Sequence, residues 1–361
     1  MISKRWFISM NKIAILIMII IPLCIFTFTV HAEDIPEQNE RGWVDFILLC
    51  NEGNSNTGGN VGNTMMVVSM NPKTGEIRLM MMTWDTFIQY EGFDQPRKLD
   101  EPYRRSGPEG TMKVFNENFN MDIQLFMSLN YLNLASLIDR YGGVDIDISR
   151  AERNALNQMV ASKKEDITKQ ADLGLLSQLL TEMLAQEYYL GEHEYGPDTH
   201  LNGLQAVGFG WLQYDSVYNC CEREVEVIAA LFKSVGKTIG EKVLLYTDES
   251  GEPEVSDGRR EINLDHMTED EQLFLREEMA PIFQMAYHNL TETDIENISN
   301  ALLRAAYLAS RQGVNIFENL KHKVFPLEAK NEYDLVAGIK GHLVDYASNE
   351  KEMKEFLFAD E

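Results

Sequence analysis

The chain has 361 residues, of which 44% are hydrophobic, so it can form one large globular domain or two ordinary ones and is not expected to be disordered. Its 57 Asp and Glu residues outnumber 32 Lys and Arg residues, which gives a formal net charge of −25. This charge argues against nucleic acid as a partner, because phosphates require a basic protein surface.

The first 32 residues have the pattern of an export signal. Basic residues precede an apolar run at 13–30, and Val30 and Ala32 suit the −3 and −1 positions of a signal-peptidase site. An apolar run of this length is also just sufficient to span a membrane. A cleaved signal peptide and an uncleaved N-terminal membrane anchor both remain open. In either case, the chain beyond a linker at 33–42 is expected outside the cytoplasm, secreted or anchored to the outer face of the cytoplasmic membrane.

Three strands are predicted between Val44 and Thr86, and the last two form a hairpin. The runs at 46–49 and 79–82 are apolar without alternation, as expected of strands that are covered on both faces. Ligands usually bind at strand ends in α/β sheets. The residues expected at these strand ends are Asn51, Glu52, Asn63, Trp84 and Asp85. Six methionines are interpreted as sheet core, with the lining of a lipid pocket as the alternative: Met65, Met66, Met70, Met80, Met81 and Met82.

Helices and strands alternate beyond this unit. The pattern predicts a loop at 89–108, helices at 108–119 and 133–141, and strands at 125–129 and 144–148. Further helical patterns lie at 151–190, 201–213, 222–240 and 266–312, followed by an extended segment at 314–327 and a helical tail at 331–361. This alternation predicts an α/β sandwich as one domain over 43–330, with a helical insertion at 151–200 and extra helices at 262–312.

The spacing of the cysteines and histidines does not indicate a metal site. Cys50, Cys220 and Cys221 follow the N-terminal segment, and thiols outside the cell tend to pair. Because their number is odd, either one thiol is left over or all are unpaired buried side chains. The histidines show no metal-ligand spacing, and the chain has neither a nucleophile elbow nor a Gly-rich phosphate loop.

Seven motifs between residues 44 and 240 carry a resemblance to a known family. They are Phe46–Leu49, Asn63–Thr74, Trp84–Thr86, Lys98–Asp100, Leu137–Asp145, Leu201–Ala206 and Glu222–Arg223. Their order resembles the LytR-CpsA-Psr family, whose members attach lipid-pyrophosphate-linked glycopolymers to peptidoglycan. The resemblance implies a three-layer α/β/α sandwich around a central mixed β-sheet, with an apolar pocket for a polyprenyl tail. It also implies a polyprenyl-pyrophosphate-linked glycan or cell-wall polymer as the partner.

The resemblance implies a set of site residues. Phosphoryl transfer of this kind needs cations that hold the pyrophosphate, magnesium held by carboxylates, and acid–base help. Asp85, Lys98 and Arg223 match the family pattern and are the expected catalytic residues. Glu52 and Asn63 stand at the positions of the magnesium ligands, where Asn63 lowers the charge. The substrate-pocket positions that carry arginine in the family are here Trp84, Trp211, Gln213 and Cys220.

The missing arginines decide between two functions. A charge-assisted hydrogen bond contributes roughly 1.5–3 kcal/mol, so four lost arginines remove on the order of 6–12 kcal/mol. This loss removes several decades of rate. We therefore expect a degenerate active site with a binding or scaffolding role, in which Trp84 and Trp211 are core aromatics or a stacking platform for a sugar. The alternative is an active transferase with a remodelled site that uses the three remaining residues on an unusual donor or acceptor.

Structural roles also fit the remaining residues. Asp85 could cap a turn, Lys98 could be solvated, and Arg223 could pair with Glu222 or Glu226. In the resembled fold, Cys50 and Cys220 both face the phosphate site. The resulting hypothesis is a disulfide from Cys50 to Cys220 or Cys221, and the alternative is unpaired buried thiols.

Overall fold

A six-stranded mixed sheet forms the centre of the computed structural model, which describes residues 41–51, 62–172, 189–252, 258–312, 320–327, 331–336 and 339–358. Its strands are β1 (Val44–Asn51), β2 (Gly62–Met70), β3 (Ile77–Met82), β6 (Leu125–Asn130), β11 (Tyr287–His288) and β12 (Leu320–Phe325), in the order β11-β6-β1-β2-β3-β12. The β1–β2–β3 meander is antiparallel, whereas β6 and β12 pair in parallel with β1 and β3. The predicted strands of the 44–86 unit are therefore confirmed.

Four two-stranded ladders and eight helices complete the described chain. The ladders are β4 (Phe87–Ile88) with β5 (Arg97–Lys98), β7 (Val144–Ile148) with β8 (Gly196–Leu201), β9 (Val243–Tyr246) with β10 (Arg260–Asn263), and β13 (Asn331–Val336) with β14 (Ile339–Val344). The helices are α1 (Asp100–Phe119), α2 (Tyr131–Arg140), α3 (Arg150–Asp172), α4 (Gly203–Gly210), α5 (Val217–Gly240), α6 (Glu269–Gln284), α7 (Glu292–Gln312) and α8 (Tyr346–Phe358).

Helices cover both faces of the sheet. Along β1, Phe46 and Leu48 enter a large core with α2, α4, α5 and α7, whereas Ile47 and Leu49 enter a second core with α1 and α8. Successive residues of a strand point to opposite faces, so two apolar faces need two helical layers. This arrangement confirms the three-layer α/β/α sandwich. The methionines of the hairpin are buried in the two cores, as their interpretation as sheet core predicts.

A buried arginine ties the C-terminal helix to the sheet. Arg78 on β3 is 3% exposed, and its Nη1 donates to the carbonyls of Phe356 and Leu357 at 3.2 and 3.1 Å. These carbonyls lie at the end of α8, where backbone acceptors lack partners inside the helix. Residues Gly42–Glu361 accordingly form one compact unit.

Several predicted segments differ from the structure. The helical insertion predicted at 151–200 ends in the strand β8, and the helical pattern at 266–312 is interrupted by the strand β11. The loop predicted at 89–108 is wrong in its second half, since α1 already begins at Asp100. Gly107 has φ 68° and kinks this helix, and Pro108 opens the part that follows, a position where its missing N–H costs nothing. The helical tail predicted at 331–361 is helical only in α8. It begins with the β13–β14 ladder, and the apolar–polar alternation of Tyr333 and Leu335 with acidic residues is the strand signal.

In the described part of the chain, no helix is both long enough and apolar enough to cross a membrane. The apolar run at 13–30 lies outside that part. Whether it is a signal peptide or an anchor therefore stays a prediction.

Gly203 on α4 lies very close to the backbone of α2, and this contact can be tested by substitution. A Cβ at Gly203 would lie 1.9 Å from the carbonyl oxygen of Ala135 on α2. We expect Gly203→Ala to lower the free energy of unfolding by about 3 kcal/mol, because backbone atoms must move apart. Gly240→Ala is the control, since a Cβ there meets nothing within 4 Å, and it should change stability by no more than about 0.5 kcal/mol. Urea unfolding measures both. Equal losses in the two variants would contradict this close approach.

Candidate functional site

The candidate site lies where β1 and β3 end against the start of α5. Ser216 caps α5, and its Oγ accepts a hydrogen bond from the backbone N–H of Asn219 at 3.1 Å. This cap places Arg223 and Glu224 in the second turn of the helix. The buried residues of the site are Cys50, Thr64, Asp85, Cys220, Cys221, Arg223 and Glu224.

Asp85 is closed off from solvent by the C-terminal hairpin. It is 1% exposed, and its Oδ1 lies 2.8 Å from Nδ1 of His342 on β14. The backbone N–H of His342 also donates to the Asp85 carbonyl at 3.2 Å. A Cβ at Gly341 would lie 2.4 Å from that carbonyl oxygen, so only glycine lets the hairpin approach so closely. Oδ2 of Asp85 is buried without a hydrogen-bond partner among the described residues.

His342 is the residue that sequence reasoning missed. It lies 257 positions after Asp85 and beyond the motifs of the resemblance, and nothing near it in the sequence marks it as special.

Lys98 and Trp84 stack on each other beside this turn. Nζ of Lys98 lies 4.9 Å from the centre of the Trp84 ring, and both residues are half-buried. The backbone N–H of Asp100 donates to the Trp84 carbonyl at 3.2 Å. Burial raises the pKa of Asp100 to about 6, against the opposing charge of Lys98. Lys98 is therefore engaged by an aromatic face and lies near a carboxyl.

The remaining substrate-pocket positions have different environments. Trp211 is 3% exposed in the larger core, with its ring edge-on to Tyr131 at 5.9 Å. Gln213 is exposed, whereas Cys220 is buried with its Sγ 3.5 Å from the Gly210 carbonyl. Trp211 and Cys220 are thus buried, Trp84 is half-buried and Gln213 is exposed, and the substrate-pocket role of these four residues stays a prediction.

The Arg223 side chain is held by hydrogen bonds to other groups of the protein. It is 4% exposed, and its Nη1 and Nη2 donate to the two carboxylate oxygens of Asp215 at 2.9 and 2.7 Å. Nη2 also donates to the Leu212 carbonyl at 2.5 Å, and Glu152 Oε1 lies 3.8 Å from Nη1. The hydrogen bonds from Arg223 lower the pKa of Asp215. The partner is thus neither Glu222 nor Glu226, and the fork-like geometry that would suit a phosphate is already occupied.

Glu224 is a buried carboxyl beside thiols. It is 4% exposed, with a hydrogen bond to Thr64 and with Cys220 Sγ 3.9 Å from Oε1. Burial raises its pKa to about 8, and burial together with the Glu224 charge raises the pKa of Cys50 to about 12. Glu224 is therefore mostly protonated at neutral pH, and the thiols near it stay protonated as well.

The disulfide hypothesis is wrong. Cys50, Cys220 and Cys221 are all free and buried. Cys220 points towards the Gly210 carbonyl and Glu224, while Cys221, the next residue of the helix, packs in the larger core. These thiols behave as small buried hydrophobic side chains.

The predicted magnesium ligands lie outside the described side chains, so magnesium binding stays a prediction. Glu52 and the side chain of Asn63 lie outside them, and within them no three His, Cys, Asp or Glu side chains could hold a metal ion. The buried carboxyls present do not fit magnesium, because Asp85 is bound by His342 and Glu224 is mostly protonated at neutral pH. No lysine or arginine of the described chain forms an ion pair with either carboxyl.

The chain is similar to proteins of one family. The model of the LytR_cpsA_psr family matches residues 30–239. The polyisoprenyl-teichoic acid–peptidoglycan teichoic acid transferase TagU of Bacillus anthracis is 23% identical over 84 residues, which cover 23% of this chain and 28% of TagU. TagU of Enterococcus faecalis is 25% identical over 85 residues, which cover 24% of this chain and 28% of that protein. The matched part is thus only 28% of the length of these relatives.

Solved structures share the fold. TagV of B. subtilis superposes with a TM-score of 0.53 at 12% identity, covering 89% of this chain and 100% of TagV. TagT bound to LI-WTA superposes with a TM-score of 0.54 at 12% identity, covering 88% of this chain and 92% of TagT. At these identities the likeness is one of fold alone.

The contact between Asp85 and His342 predicts a stability effect. We expect His342→Ala to lower the free energy of unfolding by about 1–3 kcal/mol, because a buried carboxyl loses its hydrogen-bond partner. His266→Ala is the control, since that side chain is 76% exposed where it pairs with Asp248, and it should cost at most about 0.5 kcal/mol. Thermal and urea unfolding measure both. A loss no greater than that of the control would show that the hairpin does not hold Asp85.

The raised pKa of Glu224 predicts a pH dependence. The unfolded chain loses this proton near pH ~4.3, whereas the folded protein keeps it up to about pH 8. Stability from this group is therefore complete at low pH and falls as the pH rises towards 8. Glu224→Gln removes the titration, so relative to wild type it should gain up to roughly 4 kcal/mol between about pH 5 and about pH 8. Glu249→Gln, at an exposed position, should leave the pH profile of unfolding unchanged. Parallel profiles for wild type and Glu224→Gln would refute the shift.

Proposed function

The chain belongs to the LytR_cpsA_psr family, and from that premise we propose that it is a cell-envelope protein that binds a cell-wall glycopolymer or its lipid-linked precursor at a degenerate site. In this role it recognises or scaffolds the polymer and does not transfer it. Its relatives are named as polyisoprenyl-teichoic acid–peptidoglycan teichoic acid transferases. The proposed ligand is accordingly a polyprenyl-pyrophosphate-linked glycan or a cell-wall polymer, met outside the cytoplasm.

The engagement of Arg223 carries the proposal. Both terminal nitrogens bind Asp215, so the guanidinium can hold a pyrophosphate only by giving up its bidentate ion pair. Giving up this pair forfeits two charge-assisted hydrogen bonds of roughly 1.5–3 kcal/mol each. A new phosphate contact of roughly 1.5–3 kcal/mol does not offset that cost.

Two further features support a loss of transfer activity. Asp85 is 1% exposed beneath the C-terminal hairpin, so a substrate hydroxyl has no access to it in this conformation. Four of the family's arginine positions hold the uncharged side chains of Trp84, Trp211, Gln213 and Cys220, and the net charge of −25 repels an anionic ligand. Lys98 alone leaves one positive charge, stacked on Trp84, for a ligand that carries at least two negative ones.

The second candidate function is an active transferase with a remodelled site on Asp85, Lys98 and Arg223. The observation that favours it is the contact between Asp85 and His342. A carboxylate that orients an imidazole is a common arrangement for proton transfer. In this alternative, the hairpin supplies acid–base help and the donor carries less charge.

One experiment separates the two. The purified full-length chain in detergent is mixed with a polyprenyl-pyrophosphate-linked disaccharide and peptidoglycan fragments, with and without magnesium. Equilibrium binding of the donor and release of polyprenyl phosphate are measured separately. We expect saturable binding without release above the protein-free background, because the phosphate-holding cations are absent or engaged.

The variants make the result decisive. Lys98→Ala removes the half-buried cation, and Lys113→Ala is its control on an exposed side chain of α1. Turnover that disappears in Lys98→Ala and Arg223→Ala but persists in Lys113→Ala would establish the transferase and overturn the binding role.

A further inference from the structure

Two tyrosines near the candidate site are exposed although each packs on a buried arginine. Tyr214 is 49% exposed and Tyr195 is 39% exposed, and both are among the few large exposed apolar or aromatic side chains of the described chain. The arginines beneath them, Arg223 and Arg153, are 4% and 9% exposed. Each pair combines an exposed aromatic ring with a buried arginine, so packing within the core does not explain its arrangement.

Tyr214 is held in place from below. The Cζ atom of Arg223 lies 5.0 Å from the centre of the Tyr214 ring, within the range of a cation–π contact. Arg223 is itself fixed by Asp215, and Asp215 accepts a further hydrogen bond from Asn219 at 3.1 Å. The exposed ring therefore rests on a rigid, buried support. A ring that is already ordered loses little conformational entropy when a ligand stacks on it.

Tyr195 also packs on a buried arginine, Arg153, which lies on α3. The Cζ atom of Arg153 lies 6.0 Å from its ring centre, and Nη1 of Arg153 donates to the Gly191 carbonyl at 3.2 Å. Arg153 follows Glu152 in the first turn of α3, and Glu152 lies 3.8 Å from Arg223. Glu152, which lies near Arg223, and Arg153, which packs on Tyr195, are thus neighbouring residues of one helical turn.

The groups around Tyr214 accept hydrogen bonds and carry negative charge. Burial raises the pKa of Tyr214. The nearby negative charges of Glu152 and Asp215 raise it further, while the positive charge of Arg223 lowers it. The exposed amide of Gln213 precedes the ring in the chain. Carboxylates and amides match sugar hydroxyls, whereas the same carboxylates repel phosphates.

We propose that Tyr214, with Gln213, Glu152 and Asp215, forms a binding site for an uncharged sugar ring of a cell-wall glycan, and that Tyr195 is a second stacking platform beside it. The apolar face of a pyranose stacks on the tyrosine, and its hydroxyls bind the surrounding acceptors. Aromatic side chains with one apolar face and a polar tip dominate such contacts. This inference rests on the proposed function, because it names the ligand class and the place where the glycan is held.

Arg223 acquires a different role from the one that the family pattern implies. It positions Tyr214 and does not touch the ligand. If this surface binds a neutral sugar and no phosphate, Arg223 is retained to support Tyr214, while the other arginine positions of the pattern are not needed.

The test compares a neutral and an anionic probe on the full-length chain. Titration calorimetry measures binding of an N-acetylglucosamine tetramer and of polyglycerol phosphate. We expect the neutral probe to bind more tightly, and Tyr214→Ala to weaken its binding about tenfold, which corresponds to about 1.4 kcal/mol. Tyr214→Phe keeps the ring and should bind within about twofold of wild type. Tyr214 is half exposed, so neither change should unfold the protein.

Tyr287→Ala is the matched control, because Tyr287 is 37% exposed on β11 at the edge of the central sheet. It should bind like wild type. Unchanged affinity in both Tyr214→Ala and Tyr195→Ala, or preference for the anionic probe, overturns this site and leaves the general binding role standing. A wild-type chain that binds the lipid-linked donor but neither soluble probe also overturns the site. Turnover of the lipid-linked donor is the separate result that overturns the proposed function.

Discussion

Both terminal nitrogens of Arg223 bind the carboxylate of Asp215, and one of them also reaches the Leu212 carbonyl. This buried contact determines what the strand-end site can do. It neutralises an arginine of the family pattern, it fixes the loop that precedes α5, and it supports the exposed ring of Tyr214. A guanidinium in this geometry is a structural anchor, because both of its terminal nitrogens already donate to groups of the protein.

The central sheet sets the frame for that contact. Because β1, β2 and β3 are covered on both faces, their side chains are nearly all apolar, and most polar groups of the site lie where the strands end. α5 begins at these ends, so its second turn carries Arg223 and Glu224 into the same region. A carboxyl buried there has little solvation, and the pKa of Glu224 rises to about 8 as a result.

The C-terminal hairpin covers Asp85 at the candidate site. Residues beyond the family match at 30–239 bring His342 onto Asp85, and Gly341 permits the close approach. A site that is open for pyrophosphate chemistry would leave this carboxylate accessible. Here the carboxylate is part of the packing between the sheet and the C-terminal hairpin. The fold of the family is thus retained, with this carboxylate covered.

The sequence by itself determined the strands of the 44–86 unit, their burial on both faces, the alternation with helices and the family, because apolar runs and ordered motifs are local signals. The replaced arginine positions stay a prediction that the resemblance implies. Only the tertiary structure decided that Arg223 binds Asp215 and neither Glu222 nor Glu226, that the cysteines are free, and that His342 reaches Asp85. Each of these pairings depends on where helix turns and distant strands meet, and no short-range pattern encodes the distance between two side chains that are far apart in the chain.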